Sequence, residues 1–135
     1  MSIDVPASAG YLKCVRGFVK PLFDARFDEE IAHRLVLAVD EACSNIVKHG
    51  QTWFSPRGRI ALELIDRKKA VEIRILNFCG ENEVDKIKPR DLEDIKPGGL
   101  GTHFIAEIMD SVEFVPDKTR EGRMQLVMIK EGGSK

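Results

Sequence analysis

The sequence lacks any apolar run approaching the roughly 20 residues that a membrane-spanning helix needs. No membrane partner is therefore expected. It also lacks a charge excess: 21 basic and 22 acidic side chains leave a formal net charge of −1. A dedicated nucleic-acid binder shows a large basic surplus, so direct nucleic-acid binding is not expected either. Cysteine is sparse and odd in number, at Cys14, Cys43 and Cys79, with no C-x-x-C spacing. That pattern fits neither a disulfide framework nor a zinc site, and three free thiols point to a reducing cytoplasm. His33, His49 and His103 show no metal-ligand spacing with one another or with the cysteines. The opening residues Met1–Pro6 lack the basic and apolar regions of a secretory signal.

What is present is the composition of a folded protein, 43% hydrophobic and 32% charged over 135 residues. The length suits one domain spanning 1–135 with a single core. Leu12, Val15, Val19, Leu22 and Phe23 recur at helical spacing, and Pro21 predicts that this first helix ends near Lys20. Asp28 is placed as the N-cap of a second helix, with Glu29 and Glu30 in its first turn. Its apolar stripe is Ile31, Leu35, Ala38, Val39, Ala42 and Ile46, and Gly50 is the expected stop. The period then changes to two. Ile60, Leu62 and Leu64, then Val71, Ile73 and Ile75, predict a β-hairpin turning at Arg67-Lys68-Lys69 with one buried face.

Residues 78–98 have almost no large apolar side chains and read as a long irregular segment. Gly98-Gly99-Leu100-Gly101 then opens a third helix with Phe104, Ile105, Ile108 and Met109 as its apolar positions. Strands at Ser111–Val115 and Arg123–Ile129 follow, and Gly132–Lys135 reads as frayed. A short strand at Ser2–Val5 extends the sheet. The fold class is α+β: a two-layer sandwich with a mixed, mostly antiparallel sheet and helices on one face.

Two features can carry chemistry. Glu41 and Asn45 are four apart on the second helix and share a face at the flank of its apolar stripe. An amide oxygen is a hard ligand suited to Mg²⁺, and a nearby carboxylate can act as general base. Standing alone, the same spacing also suits a solvated Glu–Asn pair beside a packed His49. The second feature is Gly98-Gly99-x-Gly101 directly before a helix. Glycines let backbone amides approach a phosphate, and the helix N-terminus adds a positive dipole end. An ordinary flexible loop is the alternative.

The two features occur together, in order, around a polar segment, and this is where the chain resembles a known family. Leu37-Ala38-Val39-Asp40-Glu41-Ala42-Cys43-Ser44-Asn45-Ile46-Val47-Lys48-His49-Gly50 is similar to the N-box of the anti-sigma-factor serine kinases. These are small histidine-kinase-like domains of the GHKL superfamily, with the Bergerat ATP-binding fold. Gly98–Ile105 with Met109-Asp110 resembles their G2 box and following helix, and Val15-Arg16-Gly17-Phe18 resembles their first helix. The resemblance implies that Asn45 binds Mg²⁺ and that Glu41 acts on the attacking hydroxyl. It implies that Gly99 and Gly101, flanked by Gly98, Leu100 and Thr102, border the triphosphate of ATP, with His49 also on the nucleotide side.

On the adenine side the sequence departs from the family pattern. Where the family has Asp-x-Gly, this chain has Asn77-Phe78-Cys79, with Gly80 one residue late. Where the family ends its last turn in Gly-Thr, this chain has Gly122-Arg123. Asn77 still offers an amide oxygen to the adenine amino group but loses the charge-assisted part of that bond. The implied function is an ATP·Mg²⁺-dependent serine/threonine protein kinase that is also an anti-sigma factor. It phosphorylates a small antagonist protein and sequesters a sigma factor. Dimerisation is common among such proteins and gives a homodimer as an expectation. Two other readings stand beside it: a degenerate, non-catalytic partner-switching module, and a regulator of a protein phosphatase.

Overall fold

Apolar residues at three- to four-residue spacing give two consecutive helices, α1 (Leu12–Arg26) and α2 (Glu29–Trp53), after a short strand β1 (Ser2–Pro6) and a 3-10 turn at Ala9–Tyr11. Alternating residues give the sheet strands β2 (Arg59–Asp66), β3 (Ala70–Gly80), β4 (Ser111–Pro116) and β5 (Arg123–Glu131). Residues 105–108 are helical. The structure is a computed structural model that describes residues 1–53, 58–80, 105–116, 118 and 123–133, with 49–53 and 77–80 described by their backbone alone.

The sheet has five strands in the order β1-β2-β3-β5-β4. Every described pairing is antiparallel, the limiting case of the mostly antiparallel sheet expected. Its register aligns the apolar residues of neighbouring strands. Leu62 faces Ile3 on one side and Ile75 on the other. Ile73 pairs with Met128, which pairs with Val112. One face of the sheet is thereby apolar, and it forms a core with Val15, Val19 and Phe23 of α1 and Leu35, Val39, Ala42 and Ile46 of α2. The helices lie on this face, as the two-layer reading requires. The other face carries a polar chain. Glu72, only 5% exposed, accepts from Arg67 Nε at 3.1 Å and from Arg74 Nε, and Arg74 Nη1 donates to Gln125 Oε1 at 3.0 Å.

Four boundary expectations are corrected. Pro21 does not end α1, which continues to Arg26. Proline removes the bond to the carbonyl four residues back, here that of Gly17. Gly17 is solvent-exposed, with open space where a Cβ would stand, so water can reach that carbonyl. Gly50 does not end α2, which runs to Trp53. Residues 78–80 are not irregular, because β3 regains pairing with β5 at Cys79 and Gly80; the rest of the expected segment lies outside the described residues. Finally, Gly132 is held rather than frayed: its amide donates to Lys69 O at 2.8 Å and its carbonyl accepts from Arg26 Nη2 at 3.0 Å.

Candidate functional site

The site is built outward from α2. Asp28 Oδ1 accepts from the Ile31 amide at 2.8 Å, which caps the helix where the sequence placed the cap. From there 3.6 residues per turn carry Leu35, Val39, Ala42 and Ile46 into the core. The same rotation leaves Glu41 and Asn45 at the edge of the buried stripe, about 6 Å apart along the axis. Asn45 is only 7% exposed. Its amide has no hydrogen-bond partner among the described residues. Glu41 is partly buried and likewise has no hydrogen bond or ion pair among them. With no described protein partner, the Asn45 amide at this edge is free to take an outside ligand. Its oxygen suits a hard cation such as Mg²⁺.

The residues assigned to the adenine side lie on the β3–β5 pair. The register runs regularly from Ala70–Glu131 to Ile75–Leu126 and resumes at Cys79–Met124 and Gly80–Arg123. Four steps on β3 thus match two on β5, so β3 bulges at 76–78. Pairing with β2 goes no further than Leu76 opposite Ala61. Bulges re-aim side chains and recur beside active sites. This one holds Asn77, and the restored register brings Cys79 and Gly80 against the start of β5. Two stretches assigned separately to the adenine side, 77–80 and Arg123, therefore adjoin in the sheet. Arg123 is partly buried.

The side chain of His49 and the positions of Gly98, Gly99, Leu100, Gly101 and Thr102 lie outside the described residues, as does the opening of the third helix. Downstream of them, Ile105, Ile108 and Met109 are buried in the same core. Cys79 is described by its backbone alone. Of the other two cysteines, Cys14 is exposed and Cys43 buried, both free. Burial, with the Asp40 charge second, pushes the Cys43 thiol up to about 12, so it is no nucleophile. A groove between α1 and the start of α2, lined by Lys20, Asp24, Asp28, Glu29, His33 and Val36, includes neither Glu41 nor Asn45.

Sequence reasoning missed two pairings. Arg16 Nη1 of α1 meets Asp40 Oδ1, immediately before Glu41, at 2.6 Å. Arg26 is buried at the far end of α1 and paired with Asp66. The available signal was an aspartate in the middle of a helix, where aspartate is disfavoured without a partner.

No described helix is long and apolar enough to cross a membrane. The model of the histidine kinase-like ATPase domain matches residues 5–130. Curated relatives include serine-protein kinases named RsbW from Bacillus cereus (strain AH820), Bacillus anthracis (strain A0248) and Bacillus thuringiensis (strain Al Hakam). Each is 25% identical over 127 residues, covering 87% of this chain and 78% of the relative. With the match spanning almost its whole length, an antiparallel sheet under two helices and a Glu–Asn pair on the second of them, the chain belongs to the histidine kinase-like ATPase domain family.

Proposed function

We propose that this protein is a serine/threonine protein kinase that uses ATP with Mg²⁺, phosphorylates a small anti-sigma-factor antagonist and sequesters a sigma factor. The observation that carries the reading is the Glu41–Asn45 pair: two polar side chains on one edge of α2, one of them buried, neither with a described protein partner. Membership of an ATPase family and likeness to proteins named serine-protein kinases support it.

The residues fit the roles. The Asn45 oxygen would hold Mg²⁺, whose other positions suit water and phosphate oxygens. Bound there, the ion supplies charge neutralisation for the transferring phosphoryl group. Glu41 takes the proton of the acceptor hydroxyl. As it does so, the acceptor oxygen bonds to the γ-phosphorus, the bond to the β–γ bridging oxygen breaks, and ADP leaves with that electron pair. The protein contributes position and charge rather than covalent chemistry. In this reading the bulge at 76–78 and the start of β5 form the base end, with Asn77, Cys79, Gly80 and Arg123.

The test is transfer of label from γ-labelled ATP to the antagonist by the parent protein and by Glu41→Gln. The amide preserves shape but takes no proton, so nucleotide binding is retained and transfer falls by about 10²–10⁴-fold. Equal transfer by both proteins would remove Glu41 from the chemistry. Binding without transfer by the parent would favour a module that regulates its partner by contact.

A further inference from the structure

The Arg16–Asp40 pair is the one described ion pair that joins α1 to α2. Neither residue has a local reason for its place. Aspartate is a weak helix former, yet Asp40 sits near the middle of the 25-residue α2. The Arg16 side chain is 43% exposed, and ion pairs at that exposure contribute little to stability. What distinguishes the pair is its neighbour, because Asp40 directly precedes Glu41. The Asp40 side chain is 24% exposed and borders the helix seam. Its charge reaches the buried Cys43 thiol one turn on.

We propose that Arg16 is a positioning residue for phosphoryl transfer: it holds and neutralises the Asp40 carboxylate, so that Glu41 meets the acceptor with no unpaired negative charge beside it. This inference rests on the kinase reading above. The other charged side chains near these positions are Lys13 and Lys20 on α1 and Arg34 and Lys48 on α2. None of them is paired with Asp40. Lys20 and Arg34 have carboxylates of their own, Asp24 and Glu30. Among the described residues, Arg16 is the one cation paired with Asp40. Released from it, the Asp40 carboxylate leaves an unpaired negative charge beside Glu41 that opposes the charge developing around the attacking oxygen in the transfer step.

The test uses the full chain with ATP and Mg²⁺ and reads phosphate release. Water then serves as the acceptor: its oxygen bonds to the γ-phosphorus, ADP departs with the electron pair of the broken bond, and the proton passes to Glu41. Arg16→Met retains the aliphatic stem and the fold. Its kcat falls about tenfold, as expected when a general base is impaired rather than removed. Its KM for ATP stays within about twofold of the parent, because only the transfer step needs Glu41. The unfolding midpoint is unchanged, and Arg16→Lys recovers most of the lost rate. On an Asp40→Asn background Arg16→Met is nearly silent, since no carboxylate remains to be held. A parent that neither releases phosphate nor labels the antagonist overturns the inference together with the kinase reading; where only the antagonist is labelled, the same rates are read from that transfer. A parent that turns over, with Arg16→Met equally fast or with the loss persisting on the Asp40→Asn background, overturns the inference alone.

Discussion

Cys43 shows how one side chain connects packing to a measurable pH dependence. Its thiol is wholly buried among α2 neighbours, and its pKa rises from 9.0 to about 12. Between those values the unfolded chain has lost the proton that the native chain keeps. Stability therefore falls as pH rises from about 9 towards about 12, and the full contribution is present below pH 9. The slope added by this one group is about 1.4 kcal/mol per pH unit within that window. Unfolding of the parent and of Cys43→Ala, measured from pH 8 to 11, checks this, with the steeper decline expected in the parent. Parallel slopes would mean that the thiol does not titrate on unfolding. At this scale the sequence was partly legible. Glu41 and Asn45 could be read from helical spacing, because a four-residue separation fixes a shared face. The Arg16–Asp40 pair could not, because it joins residues 24 apart whose meeting depends on how two helices cross.

Elements follow from local pattern more directly than partnerships do. The start of α2 was legible because Asp28 supplies an acceptor three residues before the Ile31 amide, a purely local bond. Removing it in Asp28→Ala lowers stability by about 1 kcal/mol and the melting midpoint by a few degrees. Thermal denaturation checks this, and an unchanged midpoint would show that water caps the helix equally well. Helix ends were less legible. Pro21 was read as a stop, but exposure of Gly17 lets the free carbonyl reach solvent while Val19 and Phe23 keep the helix packed. The β2–β3 hairpin was plain from its alternation. The bulge at 76–78 was not, since it exists only in the pairing of β3 with a strand 45 residues further on.

Across the whole molecule, Arg26 ties together parts that are remote in sequence. Its side chain, 1% exposed, pairs with Asp66. It also donates to Arg67 O at 2.8 Å and Gly132 O at 3.0 Å, linking the end of α1 to the β2–β3 turn and to the residue after β5. Gly133 completes the junction. Its φ of +79° suits glycine, and a Cβ there would lie 2.8 Å from Arg26 O and 2.9 Å from the Phe27 ring. Arg26→Met removes the cation and its bonds to the Arg67 and Gly132 carbonyls; because Asp66 is exposed, the loss is about 1–3 kcal/mol. Chemical denaturation measures the loss. A loss under 1 kcal/mol would show that the junction is dispensable. This clamp lies at the end of the sheet opposite Gly80, so nucleotide affinity should survive it wherever the variant remains folded.

The central claim is that the edge of α2 holds a magnesium nucleotide through Asn45. Calorimetric titration of the parent and of Asn45→Ala with ATP, with and without Mg²⁺, tests it most directly. The parent should bind one ATP in a Mg²⁺-dependent manner. Asn45→Ala should melt like the parent and lose that binding, because Asn45 flanks the apolar stripe instead of filling it. Equal, Mg²⁺-dependent affinity in parent and variant, or no ATP binding by the folded parent, would contradict the account.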